Sequence, residues 1–438
     1  MSVTDTKRIW GWYFYDWAAQ PISTVIMTFI FAPYFTELVG DGAKAQAQWG
    51  YAVGLAGFIV AIFAPIIGAV ADQTGRRMPF MWAGSIMYVV GMFGLWYAVP
   101  GDYNIWFLLG SLIVGLLGME LGLLITNGML PDVAGKKEVG RVSGGGFAFG
   151  YLGGFIAMLA MLALFAENGE TGKTLIGIDP IFGFDASARE GTRFSGPLSA
   201  IWYMIFIIPF FLWLKDTRIT GARAHLGQAI RTVLALLVQL PKRKAMFSFL
   251  MSSMFARDAL NGLYFFGGLY AAGVLGWSPV DMGVFGIVAI LSGIFFTWLG
   301  GFLDVRFGPR TVLMAVLVIL TCVTIFMVSV SRETVLFLPV AEGSCLPDMS
   351  FYLIGSIVGA AGGILQAVSR TMVVKLSDPT EVTQTFGLYA LTGRATAFLA
   401  PLSIGIVTDM TGSQAMGILP LAILFVLGLI LLRPVPRV

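Results

Sequence analysis

The sequence contains few charged residues: Asp, Glu, Lys and Arg make up only 12% of its 438 residues. A soluble protein usually carries about 25%, so this scarcity excludes a chain whose whole surface faces water. The net charge of +3 is too small to indicate nucleic-acid binding. The chain has one histidine and two cysteines, too few for a haem site or a histidine and cysteine metal centre. We therefore expect no metal, no other cofactor and no nucleic-acid partner.

The two cysteines also exclude a disulfide framework. Cys322 lies inside a predicted helix and Cys345 lies in a polar loop, so the two thiols are not expected to meet. Their presence does not indicate a redox compartment.

Hydrophobic residues are abundant instead, at 57% of the chain, and they occur in long runs. A bilayer core about 30 Å thick needs roughly 20 apolar residues for each helical crossing. The runs between charged, proline or glycine breaks therefore predict an all-α polytopic membrane protein with twelve spans. The predicted spans are 10–38, 48–70, 78–99, 104–128, 141–166, 197–215, 244–272, 279–303, 309–330, 350–374, 383–409 and 413–432.

The positions of lysine and arginine predict the orientation of these spans. Most of them fall in connectors on one side, whereas the other side holds only Lys44, Lys173, Arg189, Arg193 and Arg332. Because positively charged loops tend to stay in the cytoplasm, both termini are predicted to be cytoplasmic. The first ten residues lead into a full-length span without a small-residue cleavage site, so no cleavable signal peptide is expected.

A long connector divides the chain into two sets of six spans. We expect an N-terminal six-helix bundle at 1–215, a cytoplasmic connector at 216–243 and a C-terminal six-helix bundle at 244–438. Apolar residues recur at helical spacing within the connector, which predicts an amphipathic helix along the membrane surface or between the halves. A disordered linker is the alternative. The residues of the apolar stripe are Leu226, Ile230, Val233, Leu237 and Leu240.

A short charged motif follows the second helix of each half, as "GAVADQTGRR" and as "GGFLDVRFGPR". Glycine gives a tight turn its backbone freedom, and the carboxylate can bond arginine or the amides of a helix start. We interpret the two turns as cytoplasmic gating loops; the simpler alternative is that their positive charge only sets the topology. The residues concerned are Gly68, Asp72, Gly75, Arg76 and Arg77, and then Gly301, Asp304, Gly308 and Arg310.

A second repeat keeps step with the first. The stretch "EVGRVSGGGFAFGYLGGF" from Glu138 aligns with "EVTQTFGLYALTGRATAF" from Glu381 at a constant offset of 243, with five identities. Two similar six-helix halves with the same orientation are the arrangement expected of a rocker-switch transporter.

The two charged turns resemble the signature loop of the major facilitator superfamily. Three longer stretches, "YDWAAQPISTVIMTFIFAPYF", "LPDVAGKKEVGRVSGGGFAFGYLGG" and "GGILQAVSRTMVVKLSDPTEVTQTFGLYALTGRATAFLAPL", resemble one branch of it. That branch contains the fungal vacuolar amino-acid effluxers linked to autophagy and their bacterial relatives of unknown function. The resemblance covers nearly the whole chain and implies twelve helices in two pseudo-symmetric six-helix bundles, secondary transport and a monomer.

Several charged residues lie inside predicted spans. A charge at mid-membrane costs about 2.5 to 3.5 kcal/mol on insertion scales, so it should face a cavity or a partner. Three acids and three bases suit either internal pairing or a zwitterionic solute that replaces one ion pair. These residues are Asp16, Glu120, Arg257, Asp258, Arg370 and Arg394.

We interpret Glu120 as a proton-titrating carboxylate and Arg370 as an anion-binding or pKa-tuning partner, with a permanent ion pair as the alternative. Asn127 shares the face of Glu120 and matches Arg370 under the 243 offset, and Gln366 lies one turn before Arg370. Adjacent positions on a helix point about 100° apart, so Arg257 and Asp258 are expected to bond other helices.

The remaining candidate residues extend this predicted substrate and proton pathway. Asp16 suits a cytoplasmic gate or a substrate ligand, and Arg394 could neutralise either acid. Asn261, Tyr264 and Tyr389 are expected to line the route, although lipid-facing packing is the alternative for the tyrosines.

The sequence contains no phosphate-binding loop, nucleophile elbow or metal-ligand spacing, so an enzyme or an ATP-driven pump is not expected. A channel and a membrane chaperone are the other rivals. We expect a proton-coupled secondary transporter of a small organic solute, an amino acid or a similar metabolite, that works by alternating access. The alternative is an exporter or flippase-like transporter of a drug-like or lipid-like amphiphile. The expected location is the lipid bilayer of a bacterial inner membrane.

Overall fold

The chain folds into two compact units in the computed structural model, which describes residues 3–169, 171–216, 226–277 and 279–437. The first unit comprises Met1–Val133 and Phe149–Ala229, and the second comprises Ala134–Ala148 and Ile230–Val438. A short stretch of the N-terminal half thus packs with the C-terminal half of the sequence. The domain boundaries expected at residues 215 and 244 remain a prediction.

The described part of the first half and of the connector is built from helices. They are α1 (Val3–Ala19), α2 (Phe31–Val39), α3 (Gly42–Thr74), α4 (Met78–Gly94), α5 (Ile105–Leu164), α6 (Glu190–Arg193), α7 (Ser195–Phe206), α8 (Ile208–Trp213) and α9 (Leu226–Gln239). Residues 134–148 of α5 belong to the second unit.

The second half has the same character, with one small hairpin added. Its helices are α10 (Lys244–Leu275), α11 (Pro279–Phe307), α12 (Pro309–Val328), α13 (Leu346–Leu376), α14 (Val382–Ala395), α15 (Leu399–Thr411) and α16 (Gln414–Leu432). Strands β1 (Thr334–Val335) and β2 (Leu338–Pro339) pair antiparallel between α12 and α13.

Each of the twelve predicted spans coincides with helix. Within the described residues, ten helices are long and apolar enough to cross a membrane. The other two predicted spans are the seventh, α10, which carries Arg257 and Asp258, and the eleventh, which is broken into α14 and α15. Both departures from a simple apolar span fall where the sequence places charge. The fold is an all-α polytopic membrane fold.

The first span is not one regular helix. After α1 the chain passes Pro21 and forms a π-helical segment, Ile22–Phe29, before α2 begins. The Ile30 N–H bonds the Val25 carbonyl at 3.1 Å, five residues back, which is the π pattern. Proline has no N–H to donate, so it disfavours a continuous α-helix at this point. π turns recur at functional sites in membrane and soluble proteins.

The fourth and fifth spans extend beyond their predicted bounds. The sequence predicts a connector at 129–140, but α5 is helical throughout except at Gly135, with φ 67° and ψ 159°. Glycine tolerates this backbone conformation because it has no Cβ. The predicted connector is therefore a kink at one residue.

Glycines bring α4 and α5 into close contact. A Cβ on Gly91 would overlap the backbone of Gly115, and a Cβ on Gly84 would lie 2.9 Å from the Gly118 carbonyl oxygen. Small residues let helix backbones approach where no apolar driving force distinguishes protein from lipid. This contact positions α5, which carries Glu120 and Asn127.

Replacement of one contact glycine should destabilise the fold. We expect Gly91→Ala to lower the free energy of unfolding by about 1–3 kcal/mol, because overpacking forces the two backbones apart. The matched control is Gly110→Ala in α5, where an added Cβ meets nothing within 4 Å. Thermal unfolding of the purified variants measures the difference, and equal unfolding temperatures would contradict the proposed contact.

Candidate functional site

The polar groups of the first unit begin with α1. Asp16 is buried beside Gly150 of α5, where an added Cβ would lie 3.0 Å from the Asp16 Cβ. The neighbouring Tyr15 hydroxyl donates to the Met119 carbonyl at 2.7 Å. Gly150 is thus required for α1 to approach α5 at the level of Asp16.

A buried acceptor lies on the same helix face as Glu120. Asn127 is 7% exposed, and its side-chain Oδ1 has no hydrogen-bond partner among the described residues. The indole N–H of Trp12 donates to the adjacent Thr126 carbonyl at 2.7 Å, which fixes α1 against this turn. A buried polar atom without a partner costs free energy, and such atoms in native proteins call for a bound water, ion or ligand.

An aromatic cluster lies next to Asp16. The Trp17 ring lies 4.4 Å from the Phe149 ring and 5.9 Å from the Trp202 ring, measured between centroids. The Trp202 indole N–H donates to the Trp17 carbonyl at 3.1 Å. These rings place a polarisable apolar surface beside a buried carboxylate.

In the second unit, two adjacent charges of α10 contact the two halves of the broken eleventh span. The Arg257 Nη2 donates to the Tyr389 carbonyl at 2.6 Å, in the middle of α14. The Asp258 Oδ2 accepts the backbone N–H of Ala400 at 3.2 Å, at the start of α15. The anion therefore lies at a helix N-terminus, where the helix dipole favours negative charge.

The Arg257 guanidinium is held closely on α14. It lies 3.8 Å from the centroid of the Tyr389 ring, and its Nη2 also bonds the Thr392 hydroxyl at 3.2 Å. A Cβ on Gly393 would lie 2.5 Å from its Nη1. Sequence reasoning did not identify Thr392 or Gly393, although the run "LTGRAT" contains small residues unusual for an apolar span.

Arg370 on α13 also contacts an aromatic ring. It is buried, and its guanidinium carbon lies 4.2 Å from the centroid of the Phe147 ring. The Ser143 hydroxyl, one turn earlier, donates to the Ala367 carbonyl at 2.7 Å. The 134–148 stretch is therefore part of the surroundings of Arg370, which the sequence did not reveal.

The four remaining predicted site residues lie on α10, α13 and α14. Asn261 and Tyr264 are exposed on α10, and the Tyr264 hydroxyl lies directly over Gly362 of α13. Gln366 is half-buried on α13. The side chain of Arg394 lies outside the described residues.

The first signature loop is organised around one arginine. Arg77 forms ion pairs with Asp72, at 3.4 Å, and with Asp132. The Asp216 Oδ1 accepts the backbone N–H groups of Arg77 at 2.7 Å and Met78 at 2.8 Å. Asp216, which follows the sixth span and was not identified from the sequence, therefore caps the start of α4.

The other residues of this loop shape the turn. Gly75 ends α3 with a left-handed φ of 62°, and its N–H bonds the Ala71 carbonyl at 2.9 Å. Arg76 is exposed and Gly68 is buried. Gly75 therefore provides the tight-turn backbone conformation that the sequence predicts here.

The arginine of the second loop bonds a different partner. The Arg310 Nη2 donates to the Arg433 carbonyl at 2.6 Å, just beyond the end of α16. Gly308 has a φ of 79°, and Pro309 follows it at the first position of α12. This arginine therefore stabilises a helix C-terminus through its carbonyls.

The acid of the second loop faces glycines. Asp304 is buried, and its carboxylate lies over Gly140, where an added Cβ would overlap it. A Cβ on Gly301 would lie 2.9 Å from the Gly140 carbonyl oxygen. The two loops share residue types but differ in their contacts.

A network of hydrogen bonds and ion pairs lies in the connector after the fifth span, and the sequence did not predict it. The Glu167 carboxylate is buried and accepts the Thr192 hydroxyl at 2.7 Å. Arg189 pairs with Glu167 at 3.3 Å and with Glu37 at 2.8 Å. From the sequence, Arg189 indicated only the orientation of the spans. In the structure, its ion pairs join the ends of the first, fifth and sixth spans.

Two acids in connectors have shifted pKa values. Hydrogen bonds from Ser187 lower the pKa of Asp185, and those from Thr380 lower the pKa of Asp378. Both carboxylates stay charged at neutral pH, so neither is a candidate for proton coupling.

Comparison with known proteins identifies the family. A family model described as "Vacuole effluxer Atg22 like" matches residues 43–437. The chain belongs to this family. Among its relatives, the MFS-type transporter YxiO of Bacillus subtilis (strain 168) is 24% identical, with 99% of this chain and 95% of YxiO covered.

Fungal members of the Atg22-like family are longer. Autophagy-related protein 22 of Yarrowia lipolytica is 23% identical over 62% of this chain and 46% of its own length. This chain spans about half the length of the fungal relatives that it matches. Among solved structures, the fucose:proton symporter FucP of E. coli superposes with a TM-score of 0.70 at 13% identity, covering 99% of this chain and 98% of FucP. The fold is that of the major facilitator superfamily.

The contact of Asp258 with α15 predicts a graded loss of stability. We expect Asp258→Ala to lower the free energy of unfolding by about 1 kcal/mol or more, because the Ala400 N–H loses its acceptor. Asp258→Asn keeps an acceptor oxygen and should lower it less. Thermal unfolding measures both, and equal losses for the two variants would show that the contact is not what stabilises α15.

Proposed function

We propose that this Atg22-like protein is a secondary active transporter that moves a small organic solute across the membrane by alternating access, coupled to protons. An amino acid or a similar metabolite is the proposed solute. The family, the major facilitator fold and the buried polar groups of both units support the proposal. Its family is described as vacuole effluxers, and a fucose:proton symporter has the same fold.

The observation that carries the proposal is the orphan acceptor of Asn127. In an apolar span, a buried amide oxygen without a partner is a cost to the fold. A solute that offers a donor, such as an ammonium or amide group, removes that cost on binding. Asn127 therefore fits a substrate ligand better than a structural residue.

The second unit by itself carries charges that fit an amino-acid solute. Arg257 and Arg370 both lie within spans, and each has an aromatic ring against its guanidinium. Arginine is the side chain best suited to bind a carboxylate through two N–H groups. We propose that these arginines are the cationic groups for a carboxylate on the solute.

Glu120 is the proposed proton carrier. It is half-buried in α5, two turns before Asn127 on the same face. A carboxylate in such surroundings can alternate between its charged and neutral forms as its exposure to water changes. Protonation and solute binding would then be linked through one helix face.

We propose a monomer in a bacterial inner membrane with both termini in the cytoplasm, as the distribution of lysine and arginine predicts. The chemistry proposed is transport and not catalysis.

The aromatic cluster favours a second candidate function. The clustered rings of Trp17, Phe149 and Trp202 offer an apolar surface beside Asp16. Such a surface suits a drug-like or lipid-like amphiphile with a positive charge. Export of such a compound is therefore the alternative, and stabilisation of the purified protein by amphiphiles, with no amino acid active, would favour it.

Replacement of Asn127 tests the substrate ligand. We expect Asn127→Leu to raise the unfolding temperature or leave it unchanged, because the variant removes an unsatisfied acceptor. The same variant should weaken solute binding about tenfold, which corresponds to about 1.4 kcal/mol of lost hydrogen bonding. Thermal-shift titration of purified protein with a panel of amino acids measures both, and a large loss of stability would identify Asn127 as structural.

Replacement of Glu120 tests proton coupling. In liposomes with an imposed pH gradient, we expect the wild type to accumulate the solute and Glu120→Gln to show only equilibration. The variant should still be stabilised by the solute, since binding and coupling are separate steps. The control is Asp102→Asn, an exposed acid in the connector between the third and fourth spans. Gradient-driven accumulation by Glu120→Gln would contradict the coupling role.

A further inference from the structure

The hairpin between α12 and α13 has an unusual tip. Its strands pair Val335 with Leu338, which leaves Leu336 and Phe337 as a two-residue loop. Both loop residues have positive φ values, 53° and 61°. Two-residue loops of this kind strongly favour Asn-Gly or Gly-containing sequences, because bulky side chains are crowded in left-handed backbone.

The crowded residues are also exposed. Leu336, Phe337 and Leu338 are 60%, 68% and 66% exposed, whereas Val335 is buried. The tip therefore combines an unfavourable backbone with three large apolar side chains that contact little of the protein. Backbone strain of this kind persists where the surrounding structure holds it, and it is concentrated at functional positions.

The first unit contains the same combination. In the connector after α5, Phe182 has a φ of 68° and is 77% exposed. Among the described residues, the positive-φ residues other than glycine are Phe182, Arg189, Leu336 and Phe337. Three of these four are large, exposed apolar residues in connectors. The strained backbone therefore coincides with exposed apolar side chains.

The base of the hairpin is fixed to helix ends. Arg332 donates from Nε to the Leu275 carbonyl at 2.6 Å and from Nη1 to Asp348 at 2.8 Å. The Tyr270 hydroxyl donates to the Val330 carbonyl at 2.8 Å. These bonds join the hairpin to the ends of α10 and α13, so the tip is presented from a fixed base.

The tip is continuous with the outer apolar surface of the neighbouring helix. Strand β1 packs against α13, and the first turns of α13 expose Leu346, Met349 and Leu353 at helical spacing. In a membrane-spanning helix such a stripe faces lipid. The hairpin follows the span α12 directly and lies at the end of it opposite the second signature loop. Its apolar tip therefore extends a surface that lipid already covers.

The charges around the tip indicate which lipid chemistry it fits. The segment 330–345 contains one basic residue, Arg332, and two acidic ones, Glu333 and Glu342, so its net charge is −1. Arg332 is paired with Asp348. Anionic headgroups would gain no attraction here, and apolar burial is the available driving force.

We propose that the Leu336–Leu338 tip inserts into the headgroup and acyl boundary of the bilayer and anchors the end of α12 and α13 to it. The occupant of this surface is phospholipid, recognised by its apolar boundary and not by headgroup charge. The anchor fixes the depth of the second unit at this end of its spans.

Site-directed spin labelling tests the anchor in the full-length protein. The exposed thiols are removed first, as Cys322→Ser and Cys345→Ser. A nitroxide is attached at Phe337→Cys in nanodiscs that hold one copy of the protein in phosphatidylcholine. We expect a high ratio of its collision rate with oxygen to its collision rate with a water-soluble nickel complex. This ratio should be severalfold higher than the ratio for a label at Glu342→Cys, an exposed position in the same connector. The ratio should not change when phosphatidylglycerol is added.

Two further results decide the outcome. The double variant Leu336→Asn and Phe337→Gly has the residues that this turn favours, so it should unfold at an equal or higher temperature. A label at Leu338→Cys in that variant should lose its excess of oxygen collisions. A nickel-accessible label at Phe337→Cys would overturn the proposal, as would a label shielded from both reagents in single-copy nanodiscs, since the tip would then be covered by protein.

Discussion

A polar group inside these spans needs a partner from the protein, from water or from a bound solute, because hydrocarbon offers none. The broken eleventh span shows how this constraint is met. A break between α14 and α15 leaves helix-end carbonyls and N–H groups without intrahelical partners. Asp258 bonds one of these N–H groups, at the start of α15, and Arg257 bonds the Tyr389 carbonyl within α14. Two consecutive residues of α10 thus hold the two pieces of this span, since their side chains point about 100° apart.

The same constraint explains why the two signature loops differ. In the first loop, Arg77 neutralises two acids and Asp216 supplies the cap for α4. In the second, Arg310 bonds carbonyls beyond α16, and the buried Asp304 is placed against glycine backbone. A repeated sequence motif therefore preserves residue types and turn geometry, while each copy satisfies whichever helix ends lie nearest to it.

The helices and the residues inside them could be predicted from hydropathy, because an apolar run long enough to cross a bilayer forms a helix there. The irregular backbone segments could not be predicted in this way. The π segment after Pro21 and the kink at Gly135 depend on what packs beside them, and a run of residues does not encode its neighbours. Asp258 was recognisable as a buried charge, but its partner, the Ala400 N–H, becomes available only when the eleventh span breaks. Phe147 was hidden for a similar reason, since residues 134–148 pack with the second unit across a long sequence separation.

The structural bonds of the charged residues also bear on how a solute could act. Arg257 already bonds the Tyr389 carbonyl and the Thr392 hydroxyl, so an anion that binds this guanidinium has to compete with α14 for its N–H groups. A proton on Asp258 would likewise weaken its bond to the start of α15, because the charged form is the stronger acceptor. A ligand shifts a conformational equilibrium only by its difference in affinity between the states. In this unit the difference arises directly, since the groups that would bind solute or proton are those that hold the two halves of one helix.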